Sequence, residues 1–219
     1  MLPHGQITRL KKLQLPKIYP ITNVELAGVS HAEQIRALAE AGCRFAQIRE
    51  KSAATRVIYE EVVNALEIAN AHGLKLIVND RVDVAIAAKA HGVHLGQDDL
   101  PPAEARKLLG GDAIIGYSTH SVEQAVLASN MPIDYLAIGP VFATTTKENP
   151  DPVVGLDGIR QVRDAIGDLP LVAIGGIGIN NLAEVLAAGA GSVAIVSDLF
   201  APGFSLRERY KMLLSAASV

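Results

Sequence analysis

The stretch Lys75-Leu76-Ile77-Val78-Asn79-Asp80-Arg81-Val82-Asp83-Val84-Ala85-Ile86-Ala87-Ala88-Lys89-Ala90-His91-Gly92-Val93-His94-Leu95 decides the fold. Its branched apolar run, Lys75–Asn79, reads as a strand. A helical segment starts near Val82, and Gly92–Leu95 reads as the next strand. The same alternation runs outward in both directions. Strands are predicted at Ile18–Thr22, Arg44–Glu50, Lys75–Asn79, Gly92–Leu95, Ala113–Ser118, Asp134–Gly139, Pro170–Ile174 and Ser192–Val196, each with a helical segment after it. Eight such units imply a parallel sheet. An open doubly wound sheet is the competitor, but no Gly-x-Gly-x-x-Gly follows the first strand and no composition break marks a second domain. The pattern therefore predicts an α/β fold, a single (β/α)8 TIM barrel over residues 18–219, with residues 1–17 as a loose N-terminal arm.

Local punctuation agrees with this order. Ser30/Glu33, Ser121/Gln124 and Ser205/Glu208 have the spacing of capping boxes at helix starts. Gly42, Gly73, Gly92 and Gly189 precede apolar runs and are expected to end helices in a left-handed conformation. One connection is too long for its place. Pro140–Gly155 separates the sixth strand from the next helix, where βα loops usually run about 2–6 residues, which marks it as functional or disordered.

Composition excludes several classes. The chain has 219 residues, 49% of them hydrophobic and 20% charged, so neither disorder nor a coiled coil fits. Its 20 Lys and Arg against 23 Asp and Glu leave a net charge of −3, no footprint for nucleic acid or an anionic membrane. Nine aromatics (five Tyr, four Phe) are too few for a base-stacking platform. No stretch approaches the roughly 20 apolar residues that cross a bilayer, and the N-terminus lacks a cleavable apolar leader. A lone cysteine, Cys43, suits a reducing compartment, so the expectation is a cytoplasmic protein, compatible with a homo-oligomer.

Chemistry collects at the carboxyl ends of the predicted strands, where such barrels place their sites. In the second, alternation puts Gln47, Arg49 and Lys51 on one face, with Ala46 and Ile48 outward. Cations aimed into a barrel call for an anion, although the opposite register would leave Glu50 and Lys51 solvated at the rim. Strands three and four end in Asn79-Asp80 and Gly96-Gln97-Asp98-Asp99. Carboxylates converging on one mouth suggest a shared Mg²⁺; taken singly, each aspartate could instead cap the following helix. Strand five ends in Ser118-Thr119-His120-Ser121, leaving Ser118 and His120 to the cleft. His94 and His120 lack a third ligand at zinc spacing, so His94 reads as a hydrogen-bonded interior histidine. Gly175-Gly176 and Val196-Ser197-Asp198 occupy the turns that often hold phosphate, with a plain tight turn as the alternative. Together the residues read as Mg²⁺-dependent transfer between a diphosphate ester and a phosphorylated acceptor.

These residues resemble the thiamine-phosphate synthase family. The likeness runs through Gln47-Ile48-Arg49-Glu50-Lys51, Val78-Asn79-Asp80-Arg81, His94–Pro101, Ser118-Thr119-His120, Gly139-Pro140-Val141-Phe142, Thr144–Lys147, Ala173–Ile177 and Val196-Ser197, over about residues 18–200. The resemblance implies a transferase of thiamine biosynthesis. It would join 4-amino-2-methyl-5-hydroxymethylpyrimidine diphosphate to a (carboxy)thiazole phosphate, releasing diphosphate. It further implies that Gln47, Ile48, Arg49, Glu50, Lys51, Asn79, Ser118 and Lys147 contact the pyrimidine diphosphate. Asp80 and Asp99 would ligate Mg²⁺, and Thr144, Thr145, Thr146, Gly176, Val196 and Ser197 would hold the thiazole phosphate. Arg49, Lys51, Ser118 and Lys147 are the expected catalytic groups.

The chain departs from the family pattern at Pro20, at Asn23, and at Asp198-Leu199-Phe200, which adds a negative charge beside the expected phosphate site. A thiazole tautomerase and a non-catalytic thiazole phosphate sensor are the alternatives on the same barrel. Neither needs both leaving-group cations and paired carboxylates. A Schiff-base aldolase needs a lysine inside the barrel, and Lys75 opens its strand at the wrong end while Lys147 lies on a loop.

Overall fold

A computed structural model describes residues 13–144 and 151–218. Eight parallel strands close into a ring in chain order: β1 (Ile18–Thr22), β2 (Phe45–Ile48), β3 (Lys75–Asn79), β4 (Gly92–Leu95), β5 (Ile114–Thr119), β6 (Tyr135–Ile138), β7 (Leu171–Ile174) and β8 (Ser192–Ile195). Around them lie α1 (Val24–Ala27), α2 (His31–Glu40), α3 (Thr55–Ala71), α4 (Val82–Ala88), α5 (Pro102–Leu109), α6 (Val122–Ala128), α7 (Gly155–Ile166), α8 (Leu182–Ala187) and α9 (Leu206–Ala216), with a 3₁₀ turn at Ser197–Phe200. Each strand sits where the sequence places it, to within one or two residues.

Closure gives every strand an inside and an outside, so side chains sort by parity. Outward residues such as Ile18, Ala46, Ile48, Leu76 and Val78 join the helices in one large apolar layer. Inward residues form a second, smaller cluster from Tyr19, Ile21, Phe45, Ile77, Tyr135, Ala137, Val172 and Ala194. Three of the few aromatics meet there edge to face, Tyr19 with Phe45 at 4.8 Å and with Tyr135 at 5.9 Å between ring centres. Such pairs fill a narrow interior that aliphatic side chains alone would pack less specifically.

Capping boxes form at Ser30/Glu33 and Ser205/Glu208. Ser121 caps α6, but the Gln124 side chain accepts from the backbone of His120, one residue before its expected partner. Gly42, Gly73 and Gly189 have positive φ as expected. Gly92 does not. It opens β4, and Lys89 ends α4 in the left-handed region instead. Glycine is required at 92 for space, because a Cβ there would lie 2.0 Å from the carbonyl oxygen of Ile114.

The stretch expected to be a loose arm is anchored in its described part. Leu13 and Leu15, half-buried, pack against the inner cluster just before β1. They therefore stopper the amino end of the barrel, opposite the strand ends that carry the polar residues. Leu15→Ala should cost about 1–2 kcal/mol in urea unfolding, half-burial scaling down the loss of a core leucine. Substrate KM values should stay unchanged, which steady-state kinetics on the same variant would check.

Candidate active site

The carboxyl ends of the strands open into a cavity of about 490 Å³. Gln47, the last inward residue of β2, donates from Nε2 to the Tyr19 hydroxyl at 2.8 Å. The strand stops at Ile48, so Arg49 and Lys51 reach the cavity from the loop beyond it. Among the described residues no carboxylate pairs with Arg49, which leaves its guanidinium available to an anion.

Two residues of the expected contact set turn elsewhere. Ile48 is buried in the outer apolar layer, because the parity that sends Gln47 inward sends it out. Glu50 accepts from the backbone of Ser52 and Ala53 and from the Ser52 hydroxyl. Its carboxylate thus shapes the turn that carries Arg49 and Lys51, and its side chain does not line the cavity.

The aspartates converge. Asp80 takes a left-handed conformation, φ 60, and its N–H donates to the carbonyl of His94 at 2.8 Å, which bends the β3 end across the mouth of β4. Asp99 accepts from the backbone of Gly96 at 2.6 Å. Burial pushes the Asp80 carboxyl up to about 6; Lys51 opposes that shift, while a hydrogen bond and the charge of Asp99 reinforce it. The Lys51 ammonium stands 3.4 Å from the Asp80 carboxylate. Neither aspartate caps a helix, since Arg81 and Pro101 hold the cap positions of α4 and α5 with no side-chain bond. No cluster of three His, Cys, Asp or Glu suited to a metal occurs among the described residues. Two oxygen ligands with open positions suit Mg²⁺, which keeps waters and shares substrate phosphates.

Asn79, also lining the cavity, has a buried side-chain nitrogen with no hydrogen-bond partner. Ser118 lines the cavity and its hydroxyl lies 2.8 Å from His94 Nε2. The other ring nitrogen of His94 is 3.0 Å from the Tyr135 hydroxyl, and burial pushes this histidine down to about 4. It is the interior histidine expected from the sequence. His120 is held by the carbonyl of Gly139, 2.6 Å from Nδ1, with the Asp151 carboxylate 3.4 Å away.

On the far side, Gly176, Val196 and Ser197 line the same cavity, as does Thr144. Thr145, Thr146 and Lys147 lie outside the described residues. Gly175 and Gly176 have φ of 101 and 66, and a Cβ on either would come within 2.6 Å of the chain after β6. That chain continues the ladder past β7, with Val141 donating to Ile174 and Phe142 to Gly175. Close backbone packing therefore requires these glycines whether or not an anion approaches them. The extra charge at Asp198 is matched: Arg209 donates to its carboxylate at 2.6 Å and to its carbonyl at 3.0 Å. The other carboxylate oxygen accepts from the backbone of Ile179.

Sequence reading missed Tyr19, Tyr135 and Arg209. The parity that places Gln47 inward also applies to Tyr19 and Tyr135, and could have found them. Nothing local ties Arg209 to Asp198.

Comparisons with known proteins agree with one another. The family profile for thiamine monophosphate synthase matches residues 18–199. A thiamine-phosphate synthase of Chloroflexus aurantiacus is 45% identical over 186 residues, covering 84% of this chain and 85% of that protein. One from Methanosarcina barkeri is 44% identical over 179 residues, with 82% and 80% covered. The solved structure of thiamine phosphate pyrophosphorylase from Pyrococcus furiosus superposes with a TM-score of 0.82 at 34% identity, over 92% of this chain and 95% of that one.

The depressed histidine sets a pH dependence. His94 stays neutral in the folded chain until about pH 4, whereas the unfolded side chain takes its proton near 6.5. The unfolded state therefore binds more protons between those values, and stability falls as pH drops through that window. In urea titrations, His94→Gln should lose about 2 kcal/mol less stability than the parent between pH 7.5 and pH 5.

Proposed function

The chain belongs to the thiamine monophosphate synthase family, transferases of thiamine biosynthesis, and from that premise we propose how its cavity makes thiamine phosphate. The observation that carries the proposal is the meeting of unlike groups in one cavity. Arg49 and Lys51 stand with the Asp80/Asp99 pair, and Gly176 with Val196 and Ser197. The first set suits a diphosphate and the second a monophosphate. A tautomerase or a phosphate sensor would have no use for the first set.

The pyrimidine diphosphate lies with its anionic end toward Arg49 and Lys51, and with Asn79, Gln47 and Ser118 beneath it. The thiazole phosphate sits against Gly176, Val196, Ser197 and Thr144. Thr145, Thr146 and Lys147 keep the roles that the sequence resemblance gives them. Asp80 and Asp99 would hold Mg²⁺, which when bound supplies divalent positive charge to the diphosphate. Two close, partly buried carboxylates, one pushed up to about 6, are what a cation would relieve.

The bond between the pyrimidine CH₂ and the diphosphate oxygen breaks, and its electron pair leaves with diphosphate. The aminopyrimidine donates electron density to the CH₂ carbon, and Arg49 and Lys51 stabilise the departing charge. The thiazole nitrogen then supplies the electron pair of the new C–N bond. With a carboxylated thiazole, loss of CO₂ follows. No side chain acts as nucleophile; holding both substrates in line carries the catalysis. A cytoplasmic setting, in which buried Cys43 stays a thiol, belongs to the same proposal.

Purified protein given pyrimidine diphosphate, thiazole phosphate and Mg²⁺ should release thiamine phosphate and diphosphate in equal amounts. No product beside an active control enzyme would overturn the reading. Asp80→Ala should lower Mg²⁺-dependent turnover at least about 100-fold with an unchanged circular dichroism spectrum, as loss of a group serving transition-state charge requires. Full activity would remove Asp80 from the metal site. Arg209→Met should strand the Asp198 charge, costing about 3 kcal/mol of stability. It should also raise KM for the thiazole phosphate but not for the pyrimidine diphosphate, a split that steady-state kinetics would show.

A further inference from the structure

Five polar side chains cross the barrel interior in an unbroken line beneath the cavity. Gln47 Nε2 donates to the Tyr19 hydroxyl at 2.8 Å, and that hydroxyl is 2.9 Å from the hydroxyl of Tyr135. Tyr135 is 3.0 Å from His94 Nδ1, and His94 Nε2 is 2.8 Å from the hydroxyl of Ser118. The line thus runs through β2, β1, β6, β4 and β5, residues far apart in the chain. Gln47, Tyr19, Tyr135 and His94 are buried, and Ser118, at the cavity end, is half-buried.

A glycine makes room for it. On β5, a Cβ at Gly116 would lie 2.0 Å from Tyr135 Cζ, 2.4 Å from its hydroxyl and 2.5 Å from His94 Nδ1. The Tyr135–His94 bond occupies the space of the missing side chain. Glycine weakens a strand, so its presence here serves this contact.

The line has a direction. An amide nitrogen only donates, a hydroxyl has one proton, and a neutral imidazole donates from one nitrogen and accepts at the other. Tyr19 accepts from Gln47, so its own proton goes to Tyr135. The Tyr135 proton then goes to His94 Nδ1. That leaves the ring proton on Nε2, facing Ser118. The serine oxygen accepts from below, and its own proton is left to point into the cavity. We propose that this line makes Ser118 a fixed hydrogen-bond donor to the pyrimidine diphosphate, with Tyr19, Tyr135 and His94 as positioning residues. The inference rests on the reading of Ser118 as a contact of that substrate. A free hydroxyl rotates and presents lone pairs as readily as its proton. One already committed as an acceptor meets an acceptor atom of the substrate with no reorientation.

The test is a double-mutant cycle of Tyr135→Phe and Ser118→Ala, read as kcat and KM for each substrate at saturating Mg²⁺. Ser118→Ala should lower kcat/KM for the pyrimidine diphosphate. Tyr135→Phe alone should lower it by about 5- to 10-fold, the worth of one directed hydrogen bond, with KM for the thiazole phosphate unchanged. In the Ser118→Ala background, Tyr135→Phe should cost less than about 2-fold. Equal losses in both backgrounds, or no loss in the first, would overturn the inference while leaving Ser118 as a substrate contact. No loss in Ser118→Ala itself would overturn that contact and the inference together. If Tyr135→Phe fails to fold, His94→Gln and His94→Leu decide in the same two backgrounds. Glutamine can present an amide N–H toward Ser118 and should retain more activity than leucine, but only where Ser118 is present. Equal activity of the two would sink the proposal.

Discussion

Parity along a closed ring of strands is the constraint on which the rest of the molecule depends. Once eight parallel strands bond into a barrel, each residue must face either the helices or a narrow interior, and no edge remains to relax the choice. The outer face takes aliphatic side chains because the helices cover it. The inner face cannot be filled that way throughout, since its carboxyl end must stay open and polar. Tyrosine resolves the conflict: Tyr19 and Tyr135 fill volume with their rings and pass hydrogen bonds through their hydroxyls.

The charges obey the same geometry. The chain as a whole is close to neutral, but its neutrality is an average over a cavity in which cations and carboxylates are held a few ångströms apart. Lys51 beside Asp80, and Asp80 beside Asp99, form an arrangement with charge still to be satisfied. At Asp198 the opposite holds, because Arg209 reaches back from α9 and completes the pair. One acidic site is open to a ligand and the other is closed by the fold.

The strand order, the inward face of Gln47 and the convergence of Asp80 with Asp99 were legible because each depends on local periodicity and on position in the barrel count. Ile48 and Glu50 stand in a motif of consecutive residues, and alternation admits only some of its side chains to the cavity. Gly92 reads as a helix end because a glycine demanded by a neighbouring carbonyl and one demanded by its own φ look alike in sequence. The anchoring of Leu13 and Leu15 lay hidden for a related reason: nothing local says that a short apolar pair will find the far end of a barrel. The bond between Tyr19 and Tyr135 joins residues 116 positions apart, and only closure brings them together.

The long connection between β6 and α7 is tied off at its base. Val154 donates to the carbonyl of Pro140 and Gly155 to that of Val141, so the chain leaves and returns through one pair of backbone bonds. Just inside those bonds Phe142 still donates to the carbonyl of Gly175 and Asp151 stands 3.4 Å from His120 Nδ1, so both described ends of the loop are held to the barrel. A loop anchored in this way can change length or sequence beyond its ties while the ring of strands beneath keeps its geometry.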